Sequence, residues 1–346
     1  MPRLPAEWEP QAAVMLTWPH RETDWADDLE AVEALYERIA ATIAARQRVL
    51  IVCHNDSQRE QVRERLLGTS VAASGVRSCT APSNDTWTRD HGPITVLDDD
   101  GRARLVDFRF NGWGGKHPSN LDDRITATLQ AANCFAGASM HSSPLVLEGG
   151  AIDSDGKGTL LAVRRTLIDP ARNPGWSQQR IEAELRAELG ANRLLWLDHG
   201  QLSGDDTDGH IDTLARFCDT ETICFVESTD ANHPDHAELM AMQQELLAMR
   251  QRDGRPYRLI PLPLPGPITC NDRELLPATY ANFLIISGAV MVPVYNDPAD
   301  KIALEQLRRA FPGRDVLPVD CRPLIRQGGS LHCITMQLPA ALGLFS

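Results

Sequence analysis

Hydrophobic and polar positions alternate between two periods along the chain. Leu29, Val32, Leu35, Ile39 and Ile43 recur at helical spacing, which predicts a helix over residues 24–46. Further helices are predicted from Ser57 through Val62 and Leu66, over 121–132, from the N-cap Ser177 to Leu189, over 235–250 and over 299–310. Compact apolar runs mark strands at 14–18, 49–53, 159–163, 193–197, 223–226 and 257–262. Residues 76–79, 94–97, 145–147 and 316–319 read as further strands, and 105–110 alternates as a half-buried one. The 153–158 stretch is a hairpin turn, and 283–286 pairs with 290–294 across Ser287-Gly288-Ala289. Helices thus alternate with strand pairs about five times, which favours an α/β fold over a bundle or a sandwich. No low-complexity linker interrupts the 346 residues, so a single domain over 1–346 is expected.

The formal net charge is -13, and no basic block runs along the chain. Nucleic acid is therefore not an expected partner, whereas an acidic field favours small cations. No run of apolar residues is long enough to cross a membrane, and the first residues lack a signal-peptide core. Eight cysteines are scattered without a Cys-x-x-Cys, which suits a reducing compartment and a cytoplasmic enzyme.

The candidate chemistry centres on Cys333, in Gln327-Gly328-Gly329-Ser330-Leu331-His332-Cys333, where a tight turn hands a strand-like segment a thiol. Three stretches supply what a nucleophilic thiol needs. Asp206-Thr207-Asp208-Gly209-His210-Ile211-Asp212 carries an acid/base and a carboxylate. On a strand, Asp212 points the same way as His210. Leu147-Glu148-Gly149-Gly150 offers a carboxylate to orient His210. Trp87-Thr88-Arg89-Asp90-His91-Gly92-Pro93 offers another beside an indole that can face a cation. The Asp206–Gly209 run fails as an EF-hand, because its first and last ligand positions fall on Gly204 and Ala215. The histidines have no zinc-ligand spacing, so no metal and no cofactor is expected.

These stretches, with Phe110-Asn111-Gly112-Trp113-Gly114-Gly115 and Leu276-Pro277-Ala278-Thr279-Tyr280-Ala281-Asn282-Phe283, resemble the agmatine deiminase family and its bacterial peptidylarginine deiminase relatives. The resemblance runs from Leu4 to Gln337. It implies an α/β propeller of five ββαβ-like units, the pentein fold, with the site at the axis. It implies deimination of agmatine to N-carbamoylputrescine and ammonia, through an amidino-cysteine. Deimination of arginine or peptidylarginine, and amidino transfer, are the alternatives. Cys333, His210, Glu148, Asp90 and Asp212 match the family's catalytic positions, and Trp87, Asp206 and Trp113 are expected to line the substrate. Many agmatine deiminases read Gly-Gly-Gly-Asn-Ile-His-Cys, where this chain has Gln327, Ser330 and Leu331. The expected partner is a small cationic guanidino compound, with no nucleic acid and no membrane, and a homodimer is compatible with the chain. The cluster Asp205, Asp206 and Asp208 favours a second cation at the substrate's tail over a carboxylate.

Overall fold

Five small sheets share one plan: an antiparallel pair of strands, then a parallel strand reached through a helix. The structure is a computed structural model that describes residues 2–67, 75–270 and 274–344. One sheet joins Ile94–Leu97, Ala103–Arg109 and Ser139–Val146. The next joins Ile152–Ser154, Thr159–Val163 and Arg193–Leu197, and a third Ala215–Phe217, Thr222–Glu227 and Arg258–Pro263. A fourth joins Leu284–Ile286, Ala289–Val294 and Asp315–Asp320. The remaining one takes its antiparallel pair from both ends of the chain. Thr335–Pro339 lies against Gln11–Thr17, which continues in parallel to Arg48–Cys53 and Val76–Thr80. The C-terminal strand therefore closes the ring, and the arrangement is the pseudo-fivefold pentein fold.

The helical crossovers follow the periodicity closely. Val32, Leu35, Ile39 and Ile43 of the helix Leu29–Ala44 are fully buried, each worth about 1.5–3 kcal/mol relative to exposure. The predicted start at residue 24 is five residues early, because 23–28 form turns that seat Trp25 in the core. Ser177 caps Gln178–Leu189 by accepting from Arg180 N at 3.3 Å, and Gly190 ends that helix with a left-handed φ of 68°. Ala299–Ala310 lies where its pattern placed it. Asn55, rather than Ser57, sits at the start of Asp56–Leu67, its side chain accepting from Gln58 N at 2.9 Å. The strands Ile152–Ser154 and Ala215–Phe217 are three residues long, too short for alternation to show. Among the described residues, no helix is long and apolar enough to cross a membrane.

Cys79 and Cys134 are joined by a disulfide, which the expectation of a reducing compartment does not anticipate. Their separation of 55 residues gives no local signal, and only the fold brings the edge strand Val76–Thr80 against the turn after Ile125–Ala131. Closing a loop of that length stabilises the native state by about 4 kcal/mol in the chain-entropy account. Thiol titration of the unfolded, unreduced protein should count six free thiols, and reduction should lower the urea midpoint. Eight free thiols and an unchanged midpoint would remove the bridge.

Candidate active site

Five segments converge on Cys333, and each lies just ahead of the first strand of its sheet. They are Thr88–His91 before Ile94, Glu148–Gly150 before Ile152, His210–Thr213 before Ala215, Thr279–Phe283 before Leu284, and Ser330–Cys333 before Thr335. The pseudo-fivefold repeat thus delivers the same loop five times to one point. Cys333 occupies a turn ahead of its strand rather than the strand itself. Likewise His210 and Asp212 do not share a strand, because Ile211–Thr213 is a single 3₁₀ turn. They meet instead around Gly150. A Cβ on Gly150 would lie 2.6 Å from His210 Nδ1, 2.8 Å from Asp90 Oδ1 and 3.3 Å from Asp212 Cγ. Only glycine lets the backbone pass so close to three charged groups.

Cys333 Sγ is 3.3 Å from Asn282 Nδ2 and 3.7 Å from Asp212 Oδ2. Burial, then the nearby carboxylates Asp212 and Asp90, push this thiol well above its ordinary range. Asn282 Nδ2 also donates to Asp212 Oδ2 at 3.2 Å, while Asp212 Oδ1 is buried without a partner. Asp90 Oδ2 accepts from Trp113 Nε1 at 3.0 Å, and Asp90 Oδ1 accepts from Gly150 N at 3.2 Å. Trp113 holds a left-handed φ of 55°, uncommon for so bulky a residue, inside a turn that Asn111 braces by accepting from Gly114 N. That turn aims the indole at Asp90. Trp87 forms another wall, its Nε1 donating to Asp85 Oδ2 at 3.0 Å while Gly329 passes its ring closely.

His210 sits between two acids, with Nδ1 3.6 Å from Asp90 Oδ1 and Nε2 3.7 Å from Glu148 Oε2. Neither ring nitrogen has a hydrogen-bond partner. Burial alone pulls the imidazolium down, but Asp90, Glu148 and Asp212 outweigh it and raise its pKa to about 9. Burial lifts Asp90 to about 6, against the pull of His210. Burial also disfavours the charge on Glu148, but His210 and Arg172 more than offset that and hold it low. Arg172 Nε contacts both Glu148 oxygens, at 2.9 and 3.0 Å, and its other nitrogens reach Asp169, Asp208 and the Thr207 carbonyl.

Above this floor opens a pocket of about 450 Å³ with Asp90, Trp87, Trp113 and Cys333 at its base. Its described lining also includes Asp24, Asp85, Asp205, Asp206, His117 and Arg326. The acidic cluster of the histidine loop is only partly available to a ligand. Asp205 ties its own loop by accepting from Thr207 N and Gly209 N, and Asp208 is held by Arg172 and Lys116. Asp206 faces the pocket, 2.8 Å from His117 Nε2 and 3.4 Å from Lys116 Nζ. Arg89 points away from the pocket, donating to Gln337 Oε1 at 2.6 Å. Arg326 is the only arginine or lysine among the described lining residues, and it is paired with Asp28 at 2.9 Å.

Of the eight expected site residues, Trp87, Asp90, Trp113, Asp206 and Cys333 line the pocket, while Asp212 contacts Cys333, His210 contacts Asp90, and Glu148 reaches the site through His210. Asn282 was legible only as part of a motif, without a role. His332 was hidden by its neighbour Cys333. Glu7, Arg172 and Arg216 lie far from the motif residues they touch, and nothing local marks them. Among the described residues, no group of His, Cys, Asp and Glu is arranged to hold a metal ion.

Residues 3–339 match the family described as Porphyromonas-type peptidyl-arginine deiminase. The chain belongs to that family. It is 34% identical to the agmatine deiminase of Stutzerimonas stutzeri over 360 residues, covering 97% of this chain and 95% of that protein. It superposes with a TM-score of 0.90 on C. jejuni agmatine deiminase, solved in a cysteine-to-serine form with substrate bound, at 33% identity and 98% and 96% coverage. A Porphyromonas gingivalis structure, named provisionally as an arginine deiminase, is 47% identical with a TM-score of 0.93, covering 99% of each chain. As a member of this peptidyl-arginine and agmatine deiminase family, the protein is a hydrolase of guanidino groups.

The raised pKa of His210 has a consequence for stability. Its folded value lies above the ordinary 6.5, so its contribution is full below 6.5 and is lost as pH rises through about 9. The wild-type urea midpoint should therefore fall across that window, and His210→Gln should flatten the slope. An equal slope in the variant would show that His210 is not held as a cation.

Proposed function

We propose that the protein hydrolyses the guanidinium of agmatine to N-carbamoylputrescine and ammonia. One observation carries this reading. A buried carboxylate oxygen without a partner, Asp212 Oδ1, belongs to the acid whose other oxygen lies 3.7 Å from Cys333 Sγ, with Asp90 as the second carboxylate near the thiol. A guanidinium is planar, cationic and only a donor, so it complements such a floor.

Asp90 and Asp212 grip the guanidinium in charge-assisted hydrogen bonds, and Trp87 offers it a flat wall. The bound cation offsets the two carboxylates that keep the thiol protonated, so the Cys333 proton passes to solvent water as substrate enters. Sγ then adds to the guanidino carbon and forms a C–S bond. His210, cationic up to about pH 9, gives its proton to the departing nitrogen, the C–N bond breaks and ammonia leaves. The amidino group remains on sulfur. The now neutral His210 takes a proton from water, the hydroxide adds to the same carbon, and the C–S bond breaks to release the ureido product. Glu148, neutralised on one side by Arg172, keeps His210 oriented throughout.

The tail of the substrate is argued from the pocket's charge. Asp205 and Asp206 of the histidine loop both line the cavity, with Asp24 and Asp85; Asp205 is tied to its own loop, whereas Asp206 meets His117 and Lys116. These acids favour a terminal ammonium over a carboxylate. Relatives named for agmatine support the reading. Free arginine is the second reading, because Arg326 stands at the rim and could meet an α-carboxylate if it left Asp28.

Ammonia release from agmatine, arginine, N-acetylarginine amide and an arginine peptide should be fastest with agmatine. Cys333→Ala should abolish it. Asp206→Asn should raise KM for agmatine about tenfold or more, a loss of about 1.4 kcal/mol, with less effect on arginine. Faster turnover of arginine, together with its loss in Arg326→Ala, would replace agmatine by arginine.

A further inference from the structure

The mechanism above leaves one buried titratable group beside the nucleophile without a role. His332 is 3% exposed, with Nδ1 2.8 Å from Asp212 Oδ2 and Nε2 2.8 Å from Glu7 Oε2. An ionised carboxylate accepts hydrogen bonds and donates none. Both contacts are hydrogen bonds only if both ring nitrogens carry hydrogen. Glu7 accepts from Arg216 Nη2 at 2.6 Å and Asp212 accepts from Asn282 Nδ2 at 3.2 Å, so each carboxylate already serves its neighbours as an acceptor. Each ring nitrogen faces an acceptor oxygen at 2.8 Å, an arrangement that takes a hydrogen on both.

That ring stands on a rigid frame. Glu7 accepts from Arg216 Nη2 and from Ile285 N, both at 2.6 Å, and Arg89 Nη2 is 3.9 Å away. Arg216 is itself held by Asp153 at 3.2 Å and by the Phe283 carbonyl at 3.0 Å. On the other side, His332 and Asn282 both donate to Asp212 Oδ2, which leaves Oδ1 free and buried.

Resting on the deiminase reading, we propose that His332, fixed as an imidazolium between Glu7 and Asp212, is a positioning residue for the nucleophile. It supplies positive charge behind Asp212 that lets Cys333 ionise beside two carboxylates. The groups facing the thiol are Asp212, Asp90, Asn282 and the Ser330 backbone. Those facing His332 are Asp212 and Glu7, with Arg216, Arg89 and Asp153 behind them. A neutral side chain at 332 leaves the surroundings of Sγ one charge more negative. The thiolate is then harder to form, while Asp90 and Asp212 keep their hold on the substrate cation.

The test uses the full-length protein as wild type, His332→Gln, Glu7→Gln and the double variant, each checked for folding by circular dichroism and thermal melting. The rate of iodoacetamide labelling at Cys333 is followed against pH, with Cys333→Ala as the blank for the other thiols. In His332→Gln the inflection should rise by at least about one pH unit, a tenfold loss of thiolate at a given pH. With agmatine, kcat should fall roughly 100-fold while KM stays within about threefold, and the acid limb of kcat should move up in step. Glu7→Gln should show a smaller rise, and the double variant should be no worse than His332→Gln, because Glu7 acts through the imidazole. A folded His332→Gln protein with unmoved labelling and pH profiles overturns the proposal, whatever its rate. Should that variant fail to fold, an unmoved labelling inflection in Glu7→Gln overturns it equally. Labelling needs no turnover. Wild-type protein that releases no ammonia from any guanidine would sink the functional reading, and the labelling curves would still decide the role of His332.

Discussion

Carboxylates taken out of water beside one another repel, and each must be matched by a cation or take up a proton. That constraint organises the middle of this molecule. Glu7, Asp90, Glu148, Asp153 and Asp212 are all buried at the convergence of the five units. Arg172 answers Glu148, and Arg216 answers Glu7 and Asp153. His332 lies between Glu7 and Asp212, and His210 between Asp90 and Glu148. The incomplete part of the network is the side of Asp212 and Asp90 that faces Cys333. Under the proposed function, a guanidinium is the cation whose shape and donors complete it, and its binding would remove the field that keeps the thiol protonated, so that substrate binding and nucleophile activation form one electrostatic step.

Such a network needs rigid delivery, since a shift of about 1 Å at any one group leaves a buried charge unpaired. The pseudo-fivefold fold provides it by repetition. Each of the five repeated sheets begins with an antiparallel pair whose first strand starts just beyond an inward loop, so five loops converge on one point. Chain closure belongs to the same device. Thr335–Pro339 pairs with Gln11–Thr17 directly after Cys333, so Cys333 is tethered by the contact that completes the ring. Glu7, just ahead of that partner strand, reaches His332 through the same closure.

The rim of the pocket follows a different logic. There the charges are half-exposed and screened, and several acids are already spent on their own loop or on Lys116 and Arg172. On the proposed reading, the floor fixes the reacting group, while the tail is chosen by a smaller difference in field at the rim, where Asp206 and Arg326 stand.

Elements with strong periodicity, and the chemistry that sits in local motifs, can be read directly along the chain. The helices at Leu29–Ala44, Gln178–Leu189 and Ala299–Ala310, the thiol at 333, and the carboxylates at 90, 148 and 212 were legible there, because apolar spacing and glycine-flanked reactive residues are written along the chain. Tertiary structure alone decided how those residues meet. His210 and Asp212 come together around Gly150 through a 3₁₀ turn, not along a strand, because the close approach is set by another unit's backbone. Asp208, which reads as a substrate acid, is consumed by Arg172 and Lys116. The Cys79–Cys134 bridge and the Glu7–His332–Asp212 chain join residues far apart in sequence. Such contacts leave no local pattern, because the energy that selects them is the cost of burying unmatched charge, and that cost exists only once the units have closed around it.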